Sequence, residues 1–211
     1  MANAKEVLKK ERAALCDTLE RVGPDQPTLC DGWTTTDLAA HLVVRERDPR
    51  SGPGIMLGGR FGEYTKKLME RNQAKGYEWL IQRLRDGPPA FMVATMPALN
   101  VNENFIHHED VRRANGEAPR APDAELNEVL TSVMRRMGGF QARRLGGYGL
   151  ELLLPDGTRL KLRGGPKGKA TIVGPIGEAV LYLSGRRDAA QVTLEGDDAA
   201  LEALRTAKLG I

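Results

Sequence analysis

Three histidines punctuate this chain, at positions 41, 107 and 108, and two of them share the stretch Asn102-Glu103-Asn104-Phe105-Ile106-His107-His108-Glu109-Asp110-Val111-Arg112-Arg113. No proline or glycine interrupts the chain from Leu99 to Asn115, so the stretch predicts a helix of about four turns. On that helix Glu103 and His107 stand one turn apart on one face, where their side chains can meet at a point. Ile106 and Asp110 lie beside them, whereas His108 leaves the helix about 100° away. A carboxylate and an imidazole at i, i+4 form a claw for a divalent cation. The same pair equally suits a solvated helix surface.

The third histidine bears on that choice. Thr34, with Asp37 three residues later, resembles a capping box and predicts a helix from Thr35 to the break at Pro49. Along it Leu38, His41, Leu42 and Arg45 share a face, which places His41 among core residues. A lone histidine there more often serves as a hydrogen-bonded core group than as a ligand. Helices of an antiparallel bundle bring distant positions together, however, and His41, Glu103 and His107 together supply two imidazoles and one carboxylate. That is a catalytic zinc set with positions left open for water or substrate, and nickel, manganese or iron(II) also accept it. His108 is a weaker candidate, because the residue four before it is Asn104. Asp110 is placed to orient a ligand or to act as a nearby base.

The remaining elements must position these groups. Residues 4–22 read as an amphipathic helix with Leu8, Leu15, Leu19 and Val22 on one stripe. Arg12 falls on the same stripe, so it either carries its head out to water or reaches an anion inside the bundle. After Pro49, a glycine-rich loop at 50–60 is flanked by Arg45, Arg47, Arg50 and Arg60, a combination that can hold a carboxylate or phosphate. It matches no phosphate-loop motif, and a solvated loop is the alternative. Residues 61–85 predict one long helix weakened at Gly76, and 125–145 predict another weakened at Gly138-Gly139.

At Gly146-Gly147 the pattern changes from helical to alternating. Strands are expected at 150–154, 158–163, 170–173 and 191–194, the first two joined by Pro155-Asp156-Gly157 as a hairpin. Helices follow at 176–184 and, capped by Asp197 or Asp198, at 197–208. The expected division is a helical bundle over 1–146 and a small α+β domain over 147–211.

With 211 residues, 41% hydrophobic and 28% charged, the chain has the composition of a globular protein with a real core. A net charge of +3 gives no case for a nucleic-acid partner. No apolar run reaches the length of a membrane span and the N-terminus carries no signal segment, so a cytoplasmic protein is expected, as a monomer or homodimer. Cys16 and Cys30 lie outside any C-x-x-C arrangement and are expected as buried reduced thiols.

Leu29-Cys30-Asp31-Gly32-Trp33 leading into Asp37-Leu38-Ala39-Ala40-His41, together with Glu103-x-x-x-His107-x-x-Asp110, resembles the DinB-like metal-binding four-helix bundles. Within these it resembles in particular the mycothiol-dependent maleylpyruvate isomerase family. The segment from Gly174 to Arg186 is similar to that family's sterol-carrier-like C-terminal domain. The resemblance implies an up-down-down-up bundle with His41, Glu103 and His107 as ligands of a divalent metal, and a mycothiol-type thiol as cosubstrate. It also implies an arginine of the C-terminal domain in catalysis, for which Arg186 is the nearest match, and a small anionic substrate. Arg12 and Arg45 are the candidate cofactor-binding residues. The arginine-flanked loop at 50–60 departs from the isomerase pattern, so a relative with its own substrate is expected. Two other classes use the same residues: hydrolysis by activated water, and a non-catalytic binding protein whose metal is closed by a fourth ligand such as Asp110 or His108.

Overall fold

The computed structural model describes residues 2–48, 59–89 and 96–210. The chain forms two compact units, one of Ala4–Ala121 and one that joins Met1–Asn3 to Pro122–Ile211. The glycine- and arginine-rich loop expected at 50–60 lies outside the described residues, except that its last two positions open a helix.

The first unit is helical: α1 (Ala4–Val22), α2 (Thr35–Arg47), α3 (Gly59–Gln73), α4 (Tyr77–Arg85) and α5 (Pro97–Ala114). The capping box at the start of α2 is formed, with the Thr34 amide donating to Asp37 Oδ2 at 2.9 Å and the Asp37 amide donating to Thr34 Oγ1 at 3.3 Å. The single helix expected over 61–85 is instead two. Gly76 has φ +94°, in the left-handed region where glycine is favoured, and it ends one helix and starts the next. Leu15, Leu19, Leu38, Leu42, Leu80, Leu84 and Val111 are fully buried in one apolar cluster drawn from α1, α2, α4 and α5. Arg12 sits at its edge and reaches an internal anion: its Nη2 is 2.5 Å from Oε1 of the buried Glu46.

The second unit contains α6 (Ala124–Ala142), a 3-10 turn (Arg143–Leu145), β1 (Gly149–Leu153), β2 (Arg159–Arg163), β3 (Lys169–Val173), α7 (Ile176–Leu183), β4 (Thr193–Gly196) and α8 (Asp198–Thr206). The strands form one mixed sheet in the order β2-β1-β3-β4, with β1 parallel to β3 and the other pairs antiparallel. The compact units divide at 121/122, not at 146/147, because α6 packs on β2 and α7. Its Gly138-Gly139 pair, read in the sequence as a weak point, is where it meets the sheet. A β-carbon on Gly139 would stand 2.9 Å from the Leu162 carbonyl oxygen. Asp197 occupies the N-cap position of α8 but caps no amide of that helix; its carboxylate accepts from the Lys169 amide at 2.9 Å.

A candidate metal centre between α2 and α5

The loop before α2 brings the site together. Pro27 and Thr34 form a bridge across it, and Thr28 Oγ1 donates to the Trp33 carbonyl at 2.9 Å. The Leu29 amide donates to the Asp110 carbonyl at 3.1 Å, which ties the loop to α5. Cys30 is thereby held against the Asp110 side chain, and Trp33 against the His41 ring with centroids 5.0 Å apart.

Two groups of three donor residues converge among the described residues: His41, Glu103 and His107, and Cys30, His107 and Asp110, each with ligand atoms all within 4.8 Å. In the first, the Nε2 atoms of His107 and His41 stand 3.4 Å and 3.9 Å from one oxygen, Glu103 Oε1. The two imidazoles meet edge to face with centroids 5.3 Å apart. Arg45 Nε lies 2.9 Å from that same oxygen, and its Nη1 donates to Asn100 Oδ1 at 3.2 Å. In the second group, His107 Nδ1 is 2.9 Å from Asp110 Oδ2, and Cys30 Sγ is 3.2 Å from that oxygen.

The electrostatics favour positive charge at this point. Burial opposes ionisation of Glu103, but hydrogen bonds with His107 and His41, followed by the charges of His107 and Arg45, hold its carboxyl well below its usual range. Burial likewise opposes a charged His107, yet its contacts with Asp110, Cys30 and Glu103 raise it well above an ordinary imidazole. Burial dominates at His41 and lowers it.

His108 points elsewhere, as the helix geometry requires. It is buried, with Nδ1 2.9 Å from Glu11 Oε1, Nε2 2.9 Å from Thr18 Oγ1 and Arg120 Nη1 3.3 Å from Nδ1. Glu109 is also buried there, against Arg112, Arg113 and Arg120. This network joins α1 to α5 on the side away from His107. In the second unit, Arg186 Nη1 donates to the Ser184 carbonyl at 2.6 Å.

Sequence reasoning passed over Cys30 as a site residue and did not pair Arg45 with Glu103. Cys30 lies in a loop, where no periodicity says which side chains face inward. Arg45 did carry a signal, since it was placed on the face of His41.

Residues 8–50, which take in most of α1 and all of α2, match the family model of the mycothiol maleylpyruvate isomerase N-terminal domain. Two solved structures are similar to the chain as a whole. The crystal structure of a mycothiol-dependent maleylpyruvate isomerase is 17% identical with a TM-score of 0.54. A histidine-to-alanine mutant described under the same name is 16% identical with a TM-score of 0.56. Each comparison covers 91% of this chain and 91% of the other. At these identities the likeness is one of fold: a helical N-terminal region followed by a small mixed-sheet domain. No curated protein matches the chain.

Proposed function

We propose that the protein binds a divalent metal through His41, Glu103 and His107, and that it uses a low-molecular-weight thiol of the mycothiol type for isomerisation or S-transfer on a small anionic substrate. One observation carries this reading. Two histidines turn Nε2 toward one carboxylate oxygen, while Asp110 engages the other nitrogen of His107. An Asp110 that accepts from Nδ1–H fixes the ring so that Nε2 presents its lone pair to a cation. The isomerase-type N-terminal match over 8–50 includes His41 and supports the same assignment.

The donor set fits such a metal. Two imidazoles and one carboxylate are within reach of one point, and three protein ligands leave room for a further group. When bound, a divalent cation supplies charge that lowers the pKa of a thiol and favours its nucleophilic form. The protein's own residues do the rest. Asp110 orients His107, Arg45 holds Glu103 through its near oxygen, and Trp33 lies against the His41 ring and limits its movement. The side chain of Arg45 is 24% exposed, which leaves its outer edge able to meet a substrate carboxylate. Arg12 takes no such part in this proposal, since it is paired with Glu46 inside the fold. Arg186 is the proposed arginine of the second unit.

The test is turnover of small anionic, electrophilic substrates by metal-loaded protein, with and without added thiol. Activity that depends on both metal and thiol supports the reading. Activity that needs the metal but not the thiol points to hydrolysis instead. Arg186→Ala is expected to lower kcat/KM by about 10–100-fold, the worth of one hydrogen bond to a charged group, and to leave metal affinity unchanged.

A further inference from the structure

Cys30 is the chemistry-bearing side chain beside the site that the proposed function leaves unused. Its Sγ stands 3.2 Å from Asp110 Oδ2 and 4.0 Å from His107 Nδ1, and those two atoms are 2.9 Å apart. A thiol, an imidazole nitrogen and a carboxylate therefore form a closed triangle. Around a tetrahedral zinc with bonds of about 2.0–2.3 Å, neighbouring donors are separated by about 3.3–3.6 Å. The three sides of this triangle straddle that range, so small side-chain rotations would admit an ion. Asp110 is fully buried and His107 nearly so, which keeps competing water from two of the donors, while Cys30 is partly exposed and gives a route in.

We propose that Cys30, His107 and Asp110 form a second cation site, selective for thiophilic divalent ions such as cadmium or zinc, and that it is an alternative to the His41–Glu103–His107 site. Selectivity follows from the sulfur, which soft ions prefer over a carboxylate or water. Exclusion follows from the shared ring. His107 offers Nε2 to one group and Nδ1 to the other, and a neutral imidazole has a single lone-pair nitrogen. An ion at Cys30 takes the thiolate, whose proton passes to solvent, and the Nδ1 lone pair of the neutral ring, which is the tautomer that carries its one hydrogen on Nε2. Nε2 then keeps its hydrogen and donates it to Glu103, so His107 is lost to the first site. Capture of a soft ion at Cys30 switches the first site off.

This assignment does not depend on the protein being an enzyme, and it can be read without turnover. The full chain, reduced and free of added thiol, is titrated with cobalt(II) and with cadmium(II) while the near-ultraviolet thiolate-to-metal charge-transfer band is followed. The band is expected in the wild type, and again in Cys16→Ala, His41→Ala and Glu103→Ala. It should vanish in Cys30→Ser, a nearly isosteric change. At saturating cadmium one ion per chain should be bound. A wild type that binds cadmium without the band, or a band that survives Cys30→Ser, overturns the site. Loss of the band in Cys16→Ala would move the sulfur ligand to Cys16 and overturn it equally. Two ions bound at once overturn the exclusion. The His41→Ala and Glu103→Ala variants separate this result from the proposed function, because they remove the first site and leave the second.

Discussion

Asp110 Oδ2 lies 2.9 Å from His107 Nδ1, and the Asp110 side chain has no exposure to solvent. A buried carboxylate facing one nitrogen of an imidazole determines what the other nitrogen can do, and here the other nitrogen faces Glu103 and His41. That relationship orders the effects of substitution.

Replacing His41, Glu103 or His107 by alanine should weaken nickel binding beyond the roughly 10–100-fold expected for loss of an orienting group. Asp110→Asn removes only the orienting charge and should fall within that 10–100-fold range. His108→Ala should leave metal affinity unchanged. It strips a partner from Glu11 and Thr18 inside the protein and should cost about 1–3 kcal/mol of stability. Metal titration and melting temperature, measured on all five variants, give the ordering. If His108→Ala weakens binding as strongly as His107→Ala, the ligand assignment fails.

Glu11 gives a pH dependence with a definite sign. Burial acts to raise its pKa, but the hydrogen bond with His108 and the charge of Arg120 outweigh it and leave the carboxyl below its ordinary 4.5. A depressed folded-state pKa contributes stability that is fully present above the unfolded value. It is lost as the pH falls from about 4.5 toward the lower folded value. Urea unfolding followed from neutral to acid pH should show this loss, and Glu11→Gln should flatten it. An unchanged acid limb in Glu11→Gln would mean that other carboxylates control it.

The boundary at 121/122 makes a prediction about fragments. A chain ending at Ala121 retains His41, Glu103, His107 and Asp110 with the five described helices of its unit, and should remain helical and bind metal. A chain ending at Gly146 also carries α6 without the sheet it packs on. It leaves Leu126, Val129, Leu130, Val133 and Met134 uncovered and should aggregate more readily. Circular dichroism, metal binding and light scattering compare the two. Equal solubility would argue that α6 belongs with the bundle.

Gly139→Ala should destabilise the second unit although it places a better helix former in α6. The added carbon meets the Leu162 carbonyl at 2.9 Å, a backbone atom that cannot rotate away. Overpacking costs about 1–3 kcal/mol, against a gain of about 1 kcal/mol in helix propensity, so a net loss of up to about 2 kcal/mol is expected. Gly138→Ala meets side-chain atoms of Leu162, both methyls at 2.8 Å and Cγ at 3.2 Å, which can turn aside where a carbonyl cannot, and should cost less. Thermal unfolding of the pair decides it, and the reverse order would contradict the close approach.

What the sequence determined by itself was local. The capping box at Thr34 and Asp37, the hairpin at Pro155-Asp156-Gly157 and the uninterrupted helix through His107 follow from hydrogen bonds and dihedral preferences within a few residues. Helical spacing alone also put Glu103 beside His107 and turned His108 away, because 3.6 residues per turn leaves no choice. The tertiary structure decided the rest. Whether Gly76 weakens or breaks a helix depends on the backbone angle that packing demands, and the angle adopted is left-handed. Whether α6 joins the helices or the sheet depends on which surface its Gly138-Gly139 groove fits, and that surface is β2. Cys30 has no periodic pattern to give its direction; its place beside Asp110 comes from a loop tied to α5 across eighty residues of sequence. Arg12 falls on an apolar stripe and Arg45 on the face of His41, but spacing leaves open whether such a head turns to water or inward, and only three-dimensional contact gives the first to Glu46 and the second to Glu103. A long flexible side chain chooses its partner by proximity, and proximity between distant segments is what folding adds.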